Sequence, residues 1–499
     1  MAKDIRTAFA KDGTRYDFVF VADPPAGTMK NVYFSPNKDY VVAIFKDPQD
    51  ARSISRLESI TEKYRKDIFE QVGGDYWKEL FRWPEKVVEW DGKTGIVVPI
   101  YEKHFFFQYG NQHKGKEKEG KWFASAKLMR NLDREECGNF LNYLKISLKL
   151  ARAVRRMHAA GLAHSDLSYK NVLIDPRGAN ACIIDIDGLV VPGKYPPDVL
   201  GTPDFIAPEI ICDEKTPRVV LPSQATDKHA LAVLIYMYLL HRHPLRGGRF
   251  FGPDVESDEE EMLLMGREPV YIEHPTDHSN RNMKREYGDD LEKCKPWIDL
   301  DKFSAYKITG PFLAPLFERA FVEGLKNPMR RPLADEWERA IIKTTDRLQP
   351  CSNPSCTGKW FVYDGSKHPT CPFCGTKYKG LLPKLELYSC RPGSTSYQPE
   401  NYQLMVFNGQ SLYRWHVTKK VFPNEKLNAQ DKVRQGYFIQ HNGRWLLVNE
   451  RLASLYEILS DGTKVHKKQG EFVELKEGTK FLLSTEEGGR LVLVQMAGC

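Results

Sequence analysis

No stretch of this 499-residue chain is apolar for long enough to span a bilayer. The longest apolar run, ALAVLIYMYLL at residues 230–240, has 11 residues, whereas a spanning helix needs about 20. It reads instead as a buried helix. The N-terminal MAKDIRTAFAKDG lacks the apolar core of a signal peptide, which argues against secretion. Charge of one sign is also lacking: the formal net charge is +7, with 73 basic residues interleaved with 66 acidic ones. That balance gives no strong field toward nucleic acid or a membrane surface. Cysteine is sparse, ten in all, and six of them are scattered. A disulfide framework is therefore excluded, and the remaining four, clustered at Cys351, Cys356, Cys371 and Cys374, point to metal binding in a reducing compartment. The expected location is cytoplasmic, and no internal repeat is present.

A hydrophobic fraction of 41% and a charged fraction of 28% describe a globular chain. At this length one large domain and one or two small ones are expected. Residues 14–46 alternate apolar and polar (RYDFVFV, NVYF, YVVAIF) around the turn DPPAGTMK, which predicts a small antiparallel sheet. Ile54, Leu57, Ile60, Tyr64 and Ile68 recur at helical spacing. KVVEW and GIVVPIY read as two further strands, and GNQHKGKEKEGKW, residues 110–122, as a solvated loop. From about residue 134 to about 348 the pattern is mainly helical. Beyond residue 384, short alternating runs separated by HNGR, SDGT and EEGGR predict an all-β sandwich or barrel.

The chemistry is concentrated in HAAGLAHSDLSYKNVLID, residues 158–175. HSDLSYKN resembles the protein kinase catalytic loop H-R-D-L-x-x-x-N, and the order of sheet, helix, strands and helical lobe is similar to a bilobal protein kinase. The resemblance implies that Asp166 accepts the substrate hydroxyl proton, that Asn171 helps hold magnesium, and that Lys170 reaches the transferring phosphate. Ser168 stands where most serine/threonine kinases have that lysine. IIDIDGL resembles the D-F-G magnesium motif. One register aligns Asp185 with its acid and another aligns Asp187-Gly188; the spacing from Asn171 favours Asp185, with Asp187 as a further oxygen ligand.

VVAIFK resembles the V-A-I-K strand, which implies that Lys46 binds the α- and β-phosphates and pairs with a helix glutamate, Glu58 or Glu62, the longer spacing favouring Glu62. PPAGTMKNVYF is similar to a glycine-rich loop only through Gly27 and the following Val32-Tyr33; three spaced glycines are lacking. GTPDFIAPE, residues 201–209, closely resembles the end of a serine/threonine kinase activation segment, which implies a buried pair between Glu209 and Arg331 and a bracing role for Asp227 behind the catalytic loop. Ser165 replaces the arginine that grips a phosphorylated activation loop in many kinases, and Tyr195 is the acceptor within VVPGKYPPDVL. Activity independent of loop phosphorylation is therefore expected.

The resemblance covers roughly residues 10–348. It implies an α+β, bilobal protein-kinase fold over 1–348 (N-lobe about 10–101, C-lobe about 102–348) acting on protein Ser/Thr with ATP and Mg2+ (or Mn2+). The insert YIEHPTDHSNRNM and the DxDG variant resemble bacterial kinases of tellurite-resistance and stress gene clusters, which implies a von Willebrand A-type protein and a PP2C-type phosphatase as partners. The departures at Gly27, Ser168 and Asp187 leave a second reading, a nucleotide-binding pseudokinase scaffold; small-molecule phosphotransferases rank third.

CSNPSC and CPFCG predict a Zn2+ ribbon over 349–380 with Cys351, Cys356, Cys371 and Cys374 as ligands. His368 reads as an exposed loop residue. The β-rich region 384–499 faintly resembles a forkhead-associated domain, without its phosphothreonine-reading signatures, and reads as an interaction domain with Trp415, Tyr437 and Trp445 in its core.

Overall fold

Six short strands build the N-terminal sheet: β1 (Ile5–Ala10), β2 (Arg15–Val19), β3 (Lys30–Phe34), β4 (Tyr40–Phe45), β5 (Lys86–Trp90) and β6 (Lys93–Pro99). The structure, a computed structural model, describes residues 4–498 apart from 26, 28, 192, 196–200, 212–219, 250, 252–255, 282–298 and 395. Most of the loop 190–200 and the end of the YIEHPTDHSNRNM insert thus lie outside the described residues.

The sheet order is β2-β1-β5-β6-β4-β3. Two features depart from the sequence reading. Strand β1 was not expected, because IRTAFA carries only two large apolar residues, Ile5 and Phe9. DPPAGTMK does not join hydrogen-bonded neighbours; it crosses between the two edge strands. The sheet curls until those edges meet, with Phe18 and Tyr33 5.1 Å apart between ring centroids and the Tyr40 hydroxyl donating to the Asp17 carbonyl at 2.9 Å.

Alternation along β4 sends its side chains to two cores. Val42 and Ile44 pack with Phe18, Tyr33, Val88 and Val97. Ala43 and Phe45 pack with Ile96 and with Leu57 of the helix Ala51–Ser59. That helix starts at Asp50, whose carboxylate accepts the Ser53 N–H at 2.7 Å. It continues through a wider π-type turn at Ile60–Tyr64 into Arg65–Phe69, as the apolar spacing predicts.

The helical part rests on Phe140–Ala159 and Gln224–Leu240. Every residue from His229 to Leu240 is buried, in accord with the apolar run. A capping box between Ser223 and Thr226 fixes its start. Tyr236, Phe317 and Trp337 form an aromatic chain behind it, with centroids 5.1 and 5.0 Å apart. Between residues 160 and 223 the described chain is mostly irregular rather than helical, except for the hairpin Val172–Asp175 and Asn180–Ile183. These loops carry the chemistry described below. No helix among the described residues is long and apolar enough to cross a membrane.

The segment 110–122 is not wholly solvated. Lys118 is 1% exposed, and its ammonium lies 2.6 Å from Glu136 and 2.8 Å from Asp175. Glu136 also accepts the backbone N–H groups of Gln108 and Tyr109 at 2.6 and 2.8 Å. His113 is buried against Phe107 and Trp122. Composition alone missed this because one charge out of a run can be internal when two carboxylates receive it.

The chain divides into two compact units, one of residues 1–138, 142–298 and 316–338, the other of 139–141, 299–315 and 339–499. The second unit contains the small strand pair Leu348–Pro350 and Trp360–Val362, a six-stranded sheet and a four-stranded sheet. Its apolar core includes Leu404, Phe438, Trp445, Leu447, Phe481 and Val492. Trp445 is internal as expected, but Tyr437 and Trp415 are only half-buried. Along Gly436–His441 the alternation turns Phe438 inward and Tyr437 outward, under the Arg434 guanidinium at 4.9 Å.

Removing Lys118 leaves two carboxylates facing each other without a cation. Lys118→Met is expected to destabilise the protein by about 3–5 kcal/mol, read as a lowered midpoint in urea unfolding.

Candidate functional site

The loop between the helix Phe140–Ala159 and the strand Val172–Asp175 is held from behind by one buried carboxylate. Asp227, 1% exposed, accepts the His164 backbone N–H at 2.9 Å and lies 3.0 Å from His158 Nε2. His164 Nε2 in turn lies 2.9 Å from the Ile184 carbonyl, which joins this loop to the one carrying Asp185 and Asp187. Ser165 and Asp185 both adopt left-handed backbone, φ 66° and 60°. That conformation is unfavourable outside glycine and is typical of residues held for a task.

Asp166 is tied at both oxygens. Oδ1 accepts the Thr202 N–H at 2.7 Å, and Oδ2 accepts the Asn171 side-chain amide at 2.9 Å. Asn171 Nδ2 also donates to the Asp166 carbonyl at 2.9 Å. With its nitrogen committed, the Asn171 carbonyl oxygen is the atom left for a cation. Gly201, at φ +118°, lets the chain pass close here: a Cβ would stand 3.4 Å from the Ser165 carbonyl and 3.2 Å from Ile206. Ser168 lies 3.2 Å from the Thr202 hydroxyl, so it braces the segment instead of reaching outward. Lys170 is exposed, and its ammonium has no partner among the described residues.

Asp185 and Asp187 come together on one cation, and it is not Lys46. Lys30 Nζ lies 2.6 Å from Asp187 and 3.2 Å from Asp185. Desolvation pushes the Asp185 carboxyl up, but the Lys30 ammonium, His164 and the hydrogen bonds to Lys30 and Asp187 together hold it below its usual value. Burial opposes the charge on Lys30, yet the two carboxylates raise its ammonium above the ordinary lysine range. Lys46 is exposed and donates to the Gly27 carbonyl at 2.7 Å. Glu58 meets Lys11 at 3.3 Å, and Glu62 is exposed. The structure therefore does not bring Lys46 together with either glutamate or with the acids.

Downstream, Arg331 is fully buried and grips Glu209 through two hydrogen bonds of 2.7 and 2.6 Å. Two more of its five donors go to the Gly324 and Ala225 carbonyls at 2.8 and 2.9 Å. Gly324 makes the close fit: a Cβ there would lie 2.8 Å from Arg331 Cγ. Tyr195, on the described part of the preceding loop, places its hydroxyl 2.8 Å from Ser55 and 3.1 Å from Ser59 of the helix Ala51–Ser59. Sequence reasoning singled out Tyr195 but not these partners, which no local pattern encodes.

In the second unit the thiols of Cys351, Cys356, Cys371 and Cys374 all lie within 4.8 Å of one another. The pairs Cys351–Cys374 and Cys356–Cys371 are 3.5 and 3.7 Å apart. Tetrahedral zinc with bonds of about 2.3 Å requires sulfur separations of about 3.8 Å, so the cluster fits that ion. His368 stays outside the group.

Residues 123–289 match the protein kinase domain family. That segment is similar to the protein kinase domain and includes Asp166, Asn171, Asp185 and Asp187. The chain is 29% identical over 127 residues to the death-associated protein kinase dapk-1 of Caenorhabditis elegans, covering 25% of this chain and 8% of that protein. It is 31% identical over 132 residues to the serine/threonine-protein kinase PkaB of Streptomyces coelicolor, covering 24% of this chain and 30% of that protein. Curated relatives are thus matched over less than a third of their length. A rhoptry kinase from Toxoplasma gondii superposes with a TM-score of 0.39 at 12% identity, covering 68% of this chain and 84% of that one.

The segment 202–209 is also held by a neutral histidine. His243 Nδ1 accepts the Leu245 N–H at 3.1 Å, so Nε2 carries the proton and donates to the Asp204 carbonyl at 2.9 Å. Burial depresses this imidazole to about 4. The unfolded chain takes up the proton near pH 6.5 and the folded one does not, so this residue's contribution is present above pH 6.5 and lost as pH falls toward 4. Urea midpoints measured across that window are expected to fall with acid, and His243→Gln, which cannot titrate, to flatten the slope.

Proposed function

We propose that the protein is an ATP- and magnesium-dependent serine/threonine protein kinase, with its kinase domain over 1–348, a zinc ribbon over 349–380 and a β-rich interaction domain over 384–499. The observation that carries this reading is the pairing of Asp166 with Asn171 on one loop and of Asp185 and Asp187 with Lys30 on the next, the two loops joined by the Ile184 N–H donating to the Asn171 backbone carbonyl at 3.0 Å. In phosphoryl transfer the protein mainly positions groups and neutralises charge. Asp166 is oriented by Thr202 and Asn171 so that its free lone pairs accept the proton of a substrate hydroxyl. The Asn171 carbonyl oxygen and the two Asp carboxylates are hard oxygen donors suited to magnesium. When bound there, that ion neutralises charge on the nucleotide phosphates.

The choice of Ser/Thr hydroxyls is supported by GTPDFIAPE and by the serine/threonine-protein kinase named among the relatives. Independence from loop phosphorylation is supported by Ser165 in place of a phosphate-gripping arginine, and by the Tyr195 hydroxyl already engaged with Ser55 and Ser59. The reading extends to a cytoplasmic location, and to a von Willebrand A-type protein and a PP2C-type phosphatase as partners; sequence resemblance alone supports those partners.

Purified protein given γ-labelled ATP and magnesium should label itself or a Ser/Thr substrate, before and after exhaustive phosphatase treatment. Asp166→Asn should reduce transfer by about 100-fold or more while nucleotide binding persists. Wild-type protein that binds nucleotide without transferring phosphate would instead identify a pseudokinase scaffold.

For the cysteine cluster, elemental analysis should find stoichiometric zinc in the wild type, lost in Cys356→Ser. A metal-free wild type with intact thiols would refute the ribbon.

A further inference from the structure

We propose that Lys30, and not Lys46, supplies the ammonium that binds the nucleotide phosphates. The inference rests on the kinase reading above and assigns one role within the same site.

The first argument is the two-residue period of a strand. Val42 and Ile44 face the core formed with Phe18 and Tyr33, while Ala43 and Phe45 face the helix Ala51–Ser59. Lys46 follows the last residue of β4, and its ammonium goes to the Gly27 carbonyl at 2.7 Å rather than to the acids. A shift of one position along a strand reverses the side of the sheet. In V-A-I-K the lysine stands three after the valine; counted from Val42, that position holds Phe45.

The second argument is register. Lys30 is the direct cross-strand partner of Phe45 on β4. Residues directly opposite in an antiparallel pair share a face. Lys30 therefore projects from the neighbouring strand on the side where Phe45 cannot provide a charge. Its Nζ lies 5.5 Å from the centre of the Phe45 ring and within 2.6 and 3.2 Å of Asp187 and Asp185. The Lys30 side chain is 17% exposed, so its charge acts where water screens it little.

The third argument is the loop. Gly27 donates its N–H to the Lys30 carbonyl at 3.0 Å, and Val32 donates to the Pro25 carbonyl at 2.9 Å. The backbone carrying Lys30 is thus the end of the segment that resembles a glycine-rich loop. A cation here sits on the strand that follows the loop and above the acids of the opposite lobe. Phosphates drawn between the loop and the acids would meet it. Lys46 closes the same turn by donating to the Gly27 carbonyl at 2.7 Å.

The test uses the full-length protein and the variants Lys30→Met, Lys30→Arg and Lys46→Met, each first checked for an unchanged unfolding transition. Transfer of γ-phosphate and the affinities for Mg-ATP and for AMP are measured on each. The expected result is a loss of transfer of about 100-fold or more in Lys30→Met, with Mg-ATP weakened and AMP not. Lys30→Arg should retain part of both, and Lys46→Met most of both. Loss of transfer in Lys46→Met with Lys30→Met active would overturn the assignment. So would tighter Mg-ATP binding by Lys30→Met, which would mark Lys30 as a counter-ion that keeps magnesium out. A wild type without transfer would sink the kinase reading alone; the ATP-against-AMP comparison would still decide for or against Lys30.

Discussion

A guanidinium taken wholly out of water must be given partners for its donors, and Arg331 is given Glu209 and two backbone carbonyls. The pair fixes one end of the segment 201–209; Thr202, near its other end, is tied to Asp166. Breaking such a pair from one side typically costs about 3–5 kcal/mol, because the abandoned charge stays buried. The same logic recurs at Asp227 behind the loop that carries His164 and Asp166 and at Lys118 between Glu136 and Asp175. Loops that have little regular structure of their own are thereby placed by internal charges rather than by apolar packing alone. The labour is divided: helices and sheet give rigidity, and paired charges give position.

Much of this was legible in the chain. Asp166 and Asn171 stood at a spacing that only a specific loop makes useful, and the structure brings them within hydrogen-bond distance. The four thiols likewise converge as CSNPSC and CPFCG imply. The run at 230–240 is the buried helix that its length and composition require.

What was not legible has identifiable physical causes. Lys46 follows VVAIF one position after the place that V-A-I-K gives its lysine when counted from Val42, and the ammonium that meets Asp185 and Asp187 is that of Lys30. Counted from Val42, the lysine's position holds Phe45, and that Lys30 stands opposite it follows from the β3–β4 register, which is not local information. Lys118 was hidden in a run of charges because its carboxylates come from residues 136 and 175. Tyr437 and Phe438 are adjacent aromatics, and only the pairing of their strand decides which turns inward.

The curl of the N-terminal sheet has a further consequence. An open six-stranded sheet would present two rows of unmatched amides and carbonyls, each a template onto which a foreign strand could add. Here the margins β2 and β3 confront one another through Phe18, Tyr33 and the Tyr40 hydroxyl. The lobe thus shields its own borders and discourages polymerisation through them, without spending a covering helix on the purpose.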